Sequence, residues 1–362
     1  MVRSFPRLTT AQLWEIVDPR FVDPRSVAAL QQILDLADRD FEVGEEVIDL
    51  AAPQMRRFLS DHRLWTLLPP DAVNPPVRIE LRHRQRTIAA TQLRLRSAAT
   101  EILDRFNEAG IESRVLKGLA TGDLDYHHRL QRHTGDVDLA VRPGDLDRAV
   151  ALLRKAGFRD HPNPFSEHLL YGWTLDAPNG VEVDLHTRLS RRSPLGDQLF
   201  RSPGEALTSL PGHGLDPAQR IVHAAGHFLI APPGTRRMSG LIDVTRLHRR
   251  PDLHLDDARE FAASLGIESL VGAGLWLEAQ LRGRSDILHE LDRWRAPDWL
   301  ERTTRLVPER RLVLDHLGRY REVPKGQRLR YLPTWLLPNR HQRKLLRQSM
   351  QRATGRLRKE WR

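Results

Sequence analysis

Apolar positions early in the chain recur at helical spacing. Val27, Leu30, Ile33, Leu34 and Leu36 follow Asp23-Pro24-Arg25-Ser26, which predicts a helix opening at the proline. Residues 1–78 read as helices interrupted by proline-rich turns. Leu68-Pro69-Pro70-Asp71 and Asn74-Pro75-Pro76 break the pattern before a long helix over about 79–109, which Gly110 stops. Alternation then replaces the helical period. It predicts a short strand at 113–116, a half-buried one at 136–141, and two more at 169–175 and 181–186 around the turn Asp176-Ala177-Pro178-Asn179-Gly180. A short helix is expected at about 119–125. Leu146, Ala149, Val150, Leu152, Leu153 and Ala156 make the stripe of an amphipathic helix, with Asp145 placed to cap it and Gly157 to end it. From 205 to 318 the helical period returns, most clearly over 217–230, 241–247 and 270–281. The pattern predicts an α+β fold: a small mixed sheet within 79–200, helical regions at 1–78 and 201–318 on either side, and a tail at 319–362.

Composition narrows the classes. The chain has 362 residues, 40% hydrophobic and 29% charged, enough for about two domains of roughly 150 residues with real cores. It has no cysteine, which excludes disulfides, zinc ribbons, iron–sulfur clusters and thiol catalysis. No apolar run approaches the roughly 20 residues of a membrane span, and the N-terminus lacks an apolar signal core, so a cytoplasmic location is expected. The net charge of +10 is unevenly placed. Residues 319–362 hold 14 Lys and Arg against two acids, more than the whole excess, so the body is slightly acidic and the tail strongly basic. Residues 340–362 therefore suit contact with a polyanion. A nucleic-acid backbone, an anionic membrane surface and a plainly solvated helix all fit the pattern.

Three features could carry chemistry. Asp136 and Asp138 lie two apart on a predicted strand, so both carboxylates share a face while Val137, Leu139 and Val141 share the other. Adjacent carboxylates repel, and a hard cation such as Mg²⁺ relieves the cost. On that ground, removing either acid is expected to be neutral or slightly stabilising without metal. Glu182, Asp184 and His186 repeat the pattern on a second strand and offer a third carboxylate, enough to hold two metal ions. Lys117-Gly118 ends a strand where a helix begins; glycine there would let backbone approach a phosphate, and Lys117 could reach one. His223 and His227, four apart on a predicted helix, read as buried, hydrogen-bonded histidines, and His127, His128 and His133 as solvent-facing loop residues. No G-x-S-x-G, Walker A or G-x-G-x-x-G occurs.

The run Arg114-Val115-Leu116-Lys117-Gly118, then Tyr126, then Arg132-His133-Thr134-Gly135-Asp136-Val137-Asp138-Leu139-Ala140-Val141 resembles the uncharacterised nucleotidyltransferase-like family of bacterial proteins. Ala156-Gly157-Phe158 and Val183-Asp184-Leu185-His186 are similar to later parts of that family, which belongs to the DNA polymerase β-like superfamily. The resemblance is densest over residues 85–190. It implies transfer of an NMP from an NTP to an acceptor hydroxyl or phosphate with release of pyrophosphate. Two Mg²⁺ ions, with Mn²⁺ as the alternative, would be held by Asp136, Asp138 and Asp184. Lys117, Gly118 and Arg132 would hold the nucleotide, and the flanking helices the acceptor. Lys117-Gly118 stands where the superfamily usually has Gly-Ser, and Thr187 where the family has an aromatic residue. An RNA- or tRNA-directed enzyme using the basic tail, and a non-catalytic scaffold of the same fold, are the alternatives.

Overall fold

A computed structural model describes residues 9–18, 24–38, 50, 53–161, 172–189, 196–230 and 236–294. The basic segment at 340–362 and the rest of the tail lie outside the described residues, as does the first part of the strand expected at 169–175.

Three helices open the described chain: α1 (Thr10–Val17), α2 (Pro24–Asp38) and α3 (Pro53–Asp61). Thr9 and Gln12 close α1 with a capping box, each side chain bonding the other's backbone N–H. The long helix α4 spans Pro75–Glu108. It begins four residues earlier than its apolar pattern suggests, because proline at the first helical position costs no hydrogen bond.

The α/β part follows as β1 (Ser113–Val115), α5 (Lys117–Leu124), β2 (Val137–Val141), α6 (Leu146–Lys155), β3 (Arg159–Asp160), β4 (Gly172–Asp176) and β5 (Glu182–His186). Asp145 does not cap α6 with its side chain; it accepts a hydrogen bond from Arg148 Nη1 instead. The next stretch, expected to be helical, starts with two short strands, β6 (Glu205–Ala206) and β7 (His213–Gly214). Helices α7 (Pro217–Ile230), α8 (Met238–Leu247), α9 (Leu255–Ser264), α10 (Glu268–Arg282) and α11 (Ser285–Glu290) complete the described chain.

The seven strands form one mixed sheet in the order β3-β4-β5-β2-β1-β7-β6. β2 is parallel to β5 and antiparallel to β1. Val137, Leu139 and Val141 of β2 and Val183 and Leu185 of β5 pack on one face with Leu95, Ile102 and Phe106 of α4 and Val150 and Leu153 of α6. β2 was expected to be half-buried, but all five of its residues are buried. Its second face is covered too, where Ala140 packs with Leu116, Leu199, Phe200 and Leu215.

A larger apolar core is drawn mostly from helices. It joins Trp14, Phe58, Trp65 and Leu81 from before the sheet to Ile221, Phe228, Leu241 and Trp276 from after it. The two flanking regions therefore share one core. No helix among the described residues is long and apolar enough to cross a membrane.

Candidate active site

The acids lie on the second face of the sheet. Asp138 pairs directly with Asp184 across the parallel β2–β5 ladder, while the flanking valines and leucines turn to the opposite side. Asp138 is buried at 2% exposure. Its Oδ1 accepts from Lys117 Nζ at 2.5 Å and lies 2.9 Å from His186 Nε2. A carboxylate can only accept, so the His186 tautomer in this pair carries its proton on Nε2. Asp184 Oδ1 accepts from Thr174 Oγ1 of β4 at 2.6 Å. The second oxygens of Asp138 and Asp184, and both oxygens of Asp136, have no hydrogen-bond partner among the described residues.

Electrostatics separates the three acids. Burial pushes the Asp138 carboxyl up, but the Lys117 ammonium and the His186 hydrogen bond overcome it and hold the group well below the usual carboxylate range. Asp136 bonds no cation: burial and the charge of Asp138 raise it, and the nearby Lys117 and Arg63 charges offset that only in part. Burial would lower the Lys117 ammonium, but Asp138 and Asp136 more than offset that, so it stays protonated. The expectation that removing either acid is harmless without metal therefore suits Asp136 only. Asp138 is the counter-charge of a lysine.

The donor set fits a divalent cation. Asp138, Asp184 and His186 each offer a ligand atom within 4.8 Å of the others, and the under-neutralised Asp136 stands two residues from Asp138. Carboxylate oxygens suit Mg²⁺ or Mn²⁺. While His186 donates to Asp138, it orients that carboxylate rather than ligating through Nε2.

The turn before α5 differs from expectation in one respect. Lys117, not Gly118, has the left-handed backbone, with φ of +49°. Gly118 is needed for packing: a Cβ there would lie 2.5 Å from the Thr134 Cβ. The absence of a side chain brings α5 against the segment leading into β2, so Lys117 and the acids meet.

A cavity of about 330 Å³ opens beside these groups. Lys117, Gly118, Asp136 and Asp138 form one wall; His223 and His227 of α7 form another. Those histidines were expected to be hydrogen-bonded in a core. His223 is buried, and His227 is exposed where α7 borders the cavity; neither ring has a hydrogen bond among the described residues. Burial, with His227 adding to it, holds the His223 imidazole well below its ordinary value.

Arginines complete the wall. Arg132 makes a bidentate pair with Asp243, with nitrogen–oxygen distances of 2.7–2.9 Å, and donates to the His133 carbonyl. Tyr126 donates to the same Asp243 at 2.8 Å. Arg132 thus ties the loop before β2 to α8. Arg220 is likewise spent, on Asp125 and Glu205. Arg63 and Arg237 line the cavity with no ion pair or side-chain hydrogen bond among the described residues. Burial and the neighbouring Arg237 pull the Arg63 guanidinium down to about 10. His133, expected in solvent, is half-buried; burial, Arg63, Arg132 and Arg237 push it down to about 4.

Of the residues singled out from sequence, Lys117, Gly118, Arg132, Asp136 and Asp138 line the cavity and Asp184 stands beside Asp138, with the Arg132 guanidinium already paired to Asp243. Glu182, on the same face as Asp184, is exposed at the start of β5. Thr174, Arg63 and Arg237 were missed. A lone threonine in a strand and isolated arginines outside the α/β segment carry no spacing signal. His186 was legible from the period-2 pattern alone.

Residues 59–283 match the family described as uncharacterised nucleotidyltransferase, well over half of the chain. The chain belongs to that family. It is a nucleotidyltransferase, an enzyme class that transfers an NMP. Among solved structures, the solution structure of the antibiotic-resistance factor ANT(2'')-Ia is 18% identical, with 52% of this chain and 91% of that chain covered at a TM-score of 0.29. The crystal structure of ANT(2'')-Ia in complex with adenylyl-2''-tobramycin is 17% identical, with 51% and 94% covered at the same TM-score of 0.29. No curated protein sequence matches the chain.

Proposed function

We propose that the protein moves an NMP from an NTP to an acceptor hydroxyl or phosphate and releases pyrophosphate, with Asp136, Asp138 and Asp184 holding the divalent ions. The observation that carries this reading is the in-register pair of Asp138 and Asp184 on parallel strands, with the Lys117 ammonium on the same carboxylate. Mg²⁺ bound there would supply charge neutralisation at the reacting phosphates and acidify the acceptor oxygen. The rest falls to the chain. Lys117, poised 2.5 Å from Asp138, swings its ammonium onto the triphosphate as the donor arrives. Gly118 keeps α5 close enough for that reach. Thr174 fixes one oxygen of Asp184, leaving the other to take the acceptor's proton. The acceptor oxygen bonds to the α-phosphorus, the bond from that phosphorus to the bridging oxygen breaks, and its electron pair leaves on pyrophosphate.

The test is to incubate the protein with Mg²⁺, each α-labelled NTP and cell extract, and to follow both labelled acceptor and pyrophosphate. Label transfer that Asp138→Asn and Asp184→Asn abolish is expected. Absence of transfer from every NTP, or full activity in Asp184→Asn, overturns the reading.

A further inference from the structure

We infer that Arg63 and Arg237, contributed from opposite sides of the sheet in the sequence, form a clamp for the β- and γ-phosphates of the donor. This rests on the reading above that the donor is an NTP, and it moves part of the flanking helical regions from acceptor binding to donor binding.

The two guanidiniums line the same cavity as Lys117 and the acids. The other arginines on that wall are committed to carboxylates, and these two are not. Arg63 is half-buried, and Arg237 stands exposed beside it at the start of α8. Arg63 adopts a left-handed backbone with φ of +58°, a strained conformation for a long side chain. Gly135, next to Asp136, makes room for it: a Cβ at Gly135 would lie 2.9 Å from Arg63 Nη2. The residue before Arg63 then ties it to Arg237. His62 is fully buried, its Nε2 lies 3.3 Å from Asp18 Oδ2, and its Nδ1 accepts the backbone N–H of Met238 at 3.1 Å. A buried contact between His62 and Met238 thus fixes two chain segments whose adjacent residues are both cationic. Two guanidiniums near one another repel, and the single charge of Asp136, which neither of them bonds, offsets only part of that, so an anion in the cavity would relieve the rest. Planar, multi-donor arginine suits phosphate oxygens, and a polyphosphate offers enough charge for both.

A competing role is to neutralise Asp136, the nearest unpaired acid. The two roles separate by ligand. Calorimetric titration of the full chain with Mg·ATP, AMP and inorganic tripolyphosphate, and with Mn²⁺ alone, is compared across wild type, Arg63→Gln, Arg237→Gln and Arg63→Lys, with melting temperature as the folding control. The clamp requires that each Gln variant weaken Mg·ATP and tripolyphosphate by roughly tenfold or more. AMP and Mn²⁺ affinity should hold, and Arg63→Lys should recover part of the loss. An equal loss for AMP, a loss confined to Mn²⁺, unchanged Mg·ATP affinity, or no tripolyphosphate binding by the wild type overturns it. Wild-type tripolyphosphate binding without nucleotide transfer would instead retain the clamp and remove the nucleotidyl-transfer reading.

Discussion

At the scale of single residues, the two acids of Asp136-Val137-Asp138 have opposite energetic roles. Asp138 neutralises Lys117, so Asp138→Asn leaves an ammonium without its charge partner. A loss on the order of 2–3 kcal/mol is expected by urea denaturation without metal. Asp136→Asn removes a carboxylate that burial and Asp138 already disfavour, and should leave stability unchanged or slightly raised. Both should lose transferase activity. Equal destabilisation by the two would show that the Lys117 pair is not what holds Asp138. Sequence periodicity put both acids on one face of a strand; β2 begins only at Val137, so Asp136 stands just before it, and both acids border the cavity. It could not tell them apart, because the difference comes from a lysine 21 positions away in the chain.

At the scale of elements, close packing decides which substitutions the helices tolerate. Gly274 of α10 lies against α7; a Cβ there would meet the Ala225 carbonyl oxygen at 2.6 Å. Gly226 of α7 faces the same contact, but its added Cβ would find only the Val271 Cγ2, at an ordinary 3.6 Å. Gly274→Ala should therefore cost about 1–3 kcal/mol in chemical denaturation, and Gly226→Ala very little. Indistinguishable midpoints for the two would mean that the pair of helices can separate freely. The existence of α4, α6, α7 and the central strands was legible, because each carries a sustained apolar period. The two-residue strands β3, β6 and β7 were not, since two residues define no period. The burial of both faces of β2 was also hidden. The cover comes from β1's exit and the segment after β5, which local alternation does not encode.

For the whole molecule, the helical core spanning both flanks sets a limit on truncation. A chain beginning at residue 79 would lose Trp14, Phe58 and Trp65 from that core. It should fail to unfold cooperatively, although the sequence pattern alone suggested a boundary there. A sharp two-state transition in that truncation would overturn this. Acid should also loosen the whole fold. His223 and His133 have folded-state pKa values below the unfolded value of about 6.5, so only the unfolded chain takes up their protons in mild acid. Stability is then fully present above that value and falls as pH drops through 6.5 toward 4, by up to about 1.4 kcal/mol per unit for each group. Asp136 runs the other way, since its raised carboxyl gains stability on protonation, but that gain arrives nearer the carboxylate range. Thermal melts from pH 7.5 to 5 should show a shallower decline in a His133→Gln, His223→Gln double variant. An unchanged slope would place the acid sensitivity elsewhere.

The left-handed backbone at Lys117 has a consequence for how such sequences drift. On backbone strain alone glycine suits that position, because it reaches φ near +49° without the cost of a side chain, but it would leave Asp138 buried without its counter-charge. Folding and donor binding therefore both oppose drift to glycine, the first through Asp138. In a saturation library built on Asp138→Asn and sorted for soluble folded protein, residue 117 should move toward glycine and asparagine, because the buried carboxylate no longer calls for a cation. Sorted for nucleotide transfer in the wild-type background, residue 117 should return to lysine, and the gap between the two enrichments would measure how strongly the buried carboxylate and the donor together hold a positive charge at that position.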